Sequence, residues 1–182
     1  MEQSNGMKRV VSAVVVIATM AIPSGLVAQD SAWNRYTLED LGGVFVRIEA
    51  NEACAAAGIA ASAFEADVSL KLIEAEVGVL TQAEMLNHQA MPELRISLDC
   101  ANGSNTSAGA VAYSVGLRLQ QAAQMLRDTQ ITLPEAVTWY SSEIGVSSAG
   151  GAADTVRAVL IAKVDAFAEA WAAVHAAENE GM

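Results

Sequence analysis

Histidine and cysteine are scarce in this chain, with two of each among 182 residues. A zinc centre needs three or four ligands, usually at close spacing. His88 and His175 have no Cys or carboxylate partner at such spacing, so no metal site is expected. A Gly-x-Ser-x-Gly turn, the usual mark of a serine nucleophile on a sharp elbow, is absent. The Gly/Ser-rich stretch from Gly145 to Gly150 reads as a linker into a final helix. Gly150-Gly151 is an isolated pair, without the further glycines and Lys of a phosphate loop. The acid pairs Glu74 with Glu76 and Glu178 with Glu180 stand two apart, a spacing that does not bring side chains together on a helix. These absences lead to the expectation of no catalytic residue, no cofactor and no metal, and so of a protein that is not an enzyme. Glu49 and Asp99 are the acids to watch, because a sheet could bring them together.

Basic residues are few as well. Ten Lys and Arg stand against 21 Asp and Glu, for a net charge of −11. Nucleic acids and anionic membrane surfaces attract Lys/Arg patches, and beyond Lys8-Arg9 no basic run occurs. Neither partner is expected. Aromatic residues make up 5% of the chain, so a core must rest on Val, Leu, Ile and Met. The apolar share of 53% is enough to build one.

The N-terminus carries a clear signature. Met7-Lys8-Arg9 is a short basic region, Val10 to Ile22 an apolar run, Pro23-Ser24-Gly25 a break, and Ala28 a small residue before a polar chain. That order is the secretory pattern, and the run falls short of the roughly 20 residues that span a bilayer. Residues 1–28 are read as a cleavable signal peptide, with Met1 or Met7 as the start. The mature chain is expected in the periplasm or outside the cell, with no stable membrane insertion.

Residues 29–43 read as an irregular segment, 44–178 as a single α+β domain and 179–182 as a tail. Val44 to Ala50 alternates with period two and predicts a strand. Residues 60–77 show helical spacing at Phe64, Val68, Leu72 and Ala75, widened by Leu70, Ile73 and Val77. Ser62 and Glu65 have capping-box spacing there, and Gly78 is a natural stop. Val79-Leu80 predicts a short strand and 82–92 a polar loop. Leu94, Ile96, Leu98 and Cys100 alternate with polar residues, as do residues from Val111 to about Leu126 and from Ala136 to Val146. Turns are expected at Asn102-Gly103 and from Asp128 to Pro134. A helix is predicted over 154–177, with a stripe of Val156, Leu160, Val164, Phe167, Trp171 and Val174. The sum is a two-layer sandwich. It has a mainly antiparallel four-stranded sheet (strand, helix, short strand, three-strand meander, helix) with two helices on one face.

Asp67-Val68-Ser69-Leu70-Lys71-Leu72 and Tyr113-Ser114-Val115-Gly116-Leu117 resemble segments of small exported bacterial α+β proteins. The resemblance implies export and fold class, and it assigns no activity.

Cys54 and Cys100 lie at the ends of predicted strands. An exported chain with an even cysteine count favours a disulfide between them, and two separate buried thiols are the alternative. Trp139 and Tyr140 are adjacent on a strand, so one ring points to each face, and an exposed ring would be a binding anchor. The expected function is a non-catalytic envelope domain that binds or scaffolds a protein partner. The runner-up is a carrier of a small apolar ligand held between sheet and helices, and a third reading is a hydrolase whose site is not recognisable. The oligomeric state is left open.

Overall fold

The computed structural model describes residues 31–180. The expected signal peptide lies outside them. The elements are α1 (Ala32–Arg35), β1 (Gly43–Ala50), α2 (Glu52–Ala56), α3 (Glu65–Glu74), β2 (Gly78–Leu80), α4 (Gln82–Asn87), β3 (Glu93–Asn102), β4 (Ala110–Met125), β5 (Asp128–Ser148) and α5 (Ala152–Glu180). Short 3-10 turns follow α1 and precede α3 and α5.

The class is α+β, but the sheet differs from the expected one. It has five strands in the order β2-β1-β3-β4-β5 among the described residues. β1 runs parallel to both β2 and β3, and only β3-β4-β5 is an antiparallel meander. Parallel neighbours need a crossover. The chain makes two, β1 to β2 through α2 and α3, then β2 back past β1 to β3 through α4. Crossovers share one hand. Two that move in opposite directions across a sheet therefore leave their helices on opposite faces.

α4 was expected as a polar loop, and its position follows from that rule. Its Gln82, Met85 and Leu86 face Arg47, Glu93 and Arg95, away from the other helices. The expected pair of helices on one face is thus α3 and α5, with α2 beside them and α4 on the opposite face. A capping box starts α4. Glu84 N–H donates to Thr81 Oγ1 at 3.2 Å, while Thr81 N–H and its hydroxyl both donate to Glu84 Oε2 at 2.7 Å. The Thr81 backbone N–H, then its hydroxyl, hold the Glu84 carboxyl below the usual range.

The core lies between the sheet and α3 and α5. Leu94, Ile96 and Leu98 of β3 are buried opposite Leu119, Leu117 and Val115 of β4. The predicted stripe of α5, from Val156 to Val174, is buried throughout. Trp139 meets Phe167 edge to face at 5.1 Å, and Phe167 meets Trp171 at 6.1 Å.

Helix 60–77 is shorter than its periodicity suggested. Residues Ala61–Ala63 form a 3-10 turn, and α3 starts at Glu65 without a side-chain cap from Ser62. Phe64, Val68, Leu72 and Val77 are buried, whereas Leu70 and Ile73 face outward at 57% and 60% exposure. α3 ends at a left-handed Glu76 (φ 60°), with Val77 N–H bonded to Leu72 O and Glu76 N–H to Ile73 O, a Schellman arrangement. Gly78 serves another purpose than stopping the helix. It pairs with Gly43 so closely that a Cβ on it would come within 2.4 Å of Gly42 O.

Two boundaries also moved. The β4–β5 turn falls at Leu126-Arg127, because Met125 pairs with Asp128. Pro134 sits inside β5 at an irregularity of the ladder, where an edge strand tolerates it. The segment expected to be irregular carries α1 and buries Leu38 and Leu41. Asn34 Nδ2 donates to Thr138 O and Gln121 Nε2 to Thr37 O, which ties that segment to β4 and β5.

Candidate binding face

The candidate site residues named from the sequence lie among the described residues. Cys54 in α2 and Cys100 on β3 are joined in a disulfide, with Cα atoms 4.9 Å apart. Asn51 prepares the junction. Its Oδ1 accepts from Cys54 N–H and Cys100 N–H, and its Nδ2 donates to Cys100 O. The N-cap of α2 therefore also holds the end of β3 against it. No described helix is long and apolar enough to cross a membrane.

Trp139 and Tyr140 split as their strand parity demands. Trp139 is 1% exposed, so it is a core residue and not part of a binding surface. Phe167 on α5 decides that, by offering an aromatic partner on the helix side. Tyr140 is half-buried on the opposite face. His88 follows α4, and its Nδ1 accepts from Ala90 N–H at 3.1 Å. His175 on α5 stacks on Trp171 at 4.5 Å, with Nδ1 2.9 Å from Trp171 O. The two histidines are not brought together. Among the described residues no group of three or more His, Cys, Asp or Glu is placed to hold a metal. Glu49 and Asp99 share the face of Tyr140 on neighbouring strands, but Glu49 pairs with Ser97 and Asp99 with Ser114, so they stand diagonally.

Beyond α4, that face is open. Register sets its rows. Phe45, Glu93, Gln120 and Val137 form one; Arg47, Arg95, Arg118 and Tyr140 the next; Glu49, Ser97, Gly116 and Ser142 a third. Asp99, Ser114 and Ile144 follow, then Ala101, Ala112 and Val146. The face has two characters. Its β1–β3–β4 part is rich in arginine. Its β5 part is apolar and bare, with Ile144 at 80% and Val146 at 70% exposure. The arginine row was missed in the sequence because its members lie on three strands, and only register aligns them.

The outer edge of β5 is open too. Ala149 N–H bonds Gly109 O, whereas Ala110 O accepts from Gly103 N–H of the β3 side. Pairing alternates along an antiparallel ladder. Odd-numbered residues of β5 from 139 to 147 therefore bond β4, and the backbone of Tyr140, Ser142, Ile144, Val146 and Ser148 points outward. No Lys or Pro guards this stretch. Its one charge, Glu143, is engaged 3.0 Å from Lys163 of α5.

Two cavities flank the sheet, both outside the layer between the strands and α5. The larger, about 530 Å³, lies at the sheet end between the Glu39-Asp40-Leu41 turn, the segment from His88 to Ala90, and Gln121 to Gln124. The smaller, about 140 Å³, lies under α4 on the open face. Compared with protein-family models, with curated proteins and with solved structures, the chain matches none of them.

Proposed function

We propose that the mature chain is an exported, non-catalytic domain that binds a protein partner through the β5 side of its open sheet face. The observation that carries this is the outer edge of β5. From Tyr140 to Ser148 its alternate backbone groups point away from the sheet, beside Ile144 and Val146 at 80% and 70% exposure. Proteins blunt such edges with Lys, Pro or inward charge, or by covering them; this stretch has no Lys or Pro, and its one inward charge, Glu143, is paired with Lys163. The occupant that fits is an extended segment of the partner. Its main chain would continue the sheet and its alternate apolar side chains would cover Ile144 and Val146.

The signal-like N-terminus and the Cys54–Cys100 disulfide support export to an oxidising compartment, whether periplasm or medium. The carrier reading draws less support. The larger cavity is lined by Glu39, Asp40, His88 and several Gln, where an apolar ligand needs apolar walls.

Site-specific photocrosslinking tests the reading. Benzoylphenylalanine at position 144 should give a discrete adduct with another protein in envelope extracts of the producing cell. The same group at position 70, exposed on the helix side, should give none. Equal labelling from both positions, or none from 144 and 146, would overturn it.

A further inference from the structure

The arginine row lies on the other half of the open face and poses a separate problem. Arg47, Arg95 and Arg118 stand directly opposite one another on β1, β3 and β4. Neighbouring strands are about 4.8 Å apart, and like charges in facing positions destabilise a sheet. Glu93 offsets part of this. It accepts from Arg47 Nε at 3.1 Å and Nη2 at 3.4 Å, and from Arg95 Nε at 2.8 Å. Glu135 is 4.0 Å from Arg95 Nη1. No acid among the described residues pairs with Arg118, and its Nε is buried without a hydrogen-bond partner. Gln120, 8% exposed and two residues along the same strand, has its Oε1 buried and unpartnered as well. Buried polar atoms in folded proteins nearly always find partners. Here two fail to do so side by side, in a chain whose net charge is −11.

The surroundings suit a ligand. The cleft of about 140 Å³ is lined by Arg47, Glu93, Arg95, Gln120 and Glu135, with Met85 and Leu86 of α4 as a wall; Arg118 stands beside it, opposite Arg95. In the next row Gly116 is buried, with the Ser97 and Tyr140 side chains lying over it. A Cβ there would lie 3.1 Å from Ser97 Oγ and 4.0 Å from Tyr140 Oη, so two hydroxyls overhang the strip beside Arg118. We infer that Arg47, Arg95 and Arg118, with Gln120, form a binding site for a small molecule carrying an oxyanion, a carboxylate or a phosphate group. Guanidinium forks match both geometries. A hydroxyl on the ligand, as in a hydroxy acid or a hydrogen phosphate, donates to Gln120 Oε1. The inference rests on different residues from the protein-docking reading and stands if that reading fails.

Thermal unfolding of the purified protein, titrated with sodium phosphate or sodium malate against chloride at matched ionic strength, tests it. A saturable rise in Tm with phosphate identifies a phosphate site, and one with malate alone identifies a carboxylate site. Arg118→Gln should weaken the apparent affinity at least tenfold. Arg157→Gln, which removes a cation paired with Asp67 on the helix side, should leave it unchanged. If Arg118→Gln does not fold, the arginine Nε–Hε resonances of the unaltered protein decide, because that of Arg118 should shift on titration. No stabilisation above chloride, an unmoved Arg118 resonance, or equal weakening by Arg157→Gln would overturn the inference.

Discussion

On β3 and β4, alternate residues of one sequence build two unlike surfaces. Toward α5, Leu94, Ile96, Leu98, Val115, Leu117 and Leu119 are buried and interlock with the stripe of the helix. Toward the open side, Arg95, Ser97, Asp99, Ser114 and Arg118 are partly or fully exposed and meet solvent, each other or α4. The covered face gains stability from apolar area removed from water, at about 25 cal/mol per Å². The open face gains little in this way and leaves Arg118 Nε and Gln120 Oε1 unpaired. The contrast separates the half of the sheet that holds the fold from the half that, on the proposals above, is left for binding.

The largest effect should come from breaking the covered face. Trp139 is buried between the sheet and Phe167. Trp139→Ala removes one of the core's two tryptophans and should cost about 3–5 kcal/mol, read as a lower midpoint in chemical denaturation. A cost below 1 kcal/mol would mean that β5 is not anchored through this ring.

A somewhat smaller loss should follow removal of the disulfide. Cys54 and Cys100 are 46 residues apart, and closing such a loop is worth about 3–4 kcal/mol in the chain-entropy account. The double variant Cys54→Ala/Cys100→Ala should lose that much in the same assay. The unaltered protein should take up no alkylating reagent until reduced, and it should match the variant's stability once it is. Free thiols in the unreduced protein would remove the link between α2 and β3.

The smallest effect belongs to the open face. Ile144→Ser replaces a side chain that is 80% exposed, and exposed substitutions usually change stability by less than about 0.5 kcal/mol. Its denaturation midpoint should stay within that margin while the crosslinked adduct from position 146 disappears. A loss of stability comparable to that of Trp139→Ala would show that Ile144 belongs to the core, and the division between the two faces would fail.

Much of the fold was legible before any coordinates. Period-two alternation found β1, β3 and β4, because one face of each strand is apolar and the other polar. The stripe from Val156 to Val174 found α5 for the same reason at helical spacing. α4 was missed because it is six residues long with Met85 as its one buried anchor, although Thr81 and Glu84 do carry the capping-box spacing. Leu70 and Ile73 fit the helical period of α3 but found no neighbour, since the period ranks faces without saying how wide a contact the partner offers.

By itself, then, the sequence determined the class, the likeness of its N-terminus to an export signal, the alternation of its strands and the parity that sends Trp139 and Tyr140 to opposite faces. All of these depend on residues close together in the chain, whose geometry is set by backbone period. Tertiary structure decided what depends on register between distant segments. That includes the parallel placement of β1 beside β3, the meeting of Cys54 with Cys100, the choice of Trp139 as the buried ring, and the alignment of Arg47, Arg95 and Arg118. A shift of one residue in any of those pairings would turn every side chain of the strand to the other face, and no local pattern encodes which pairing the chain adopts.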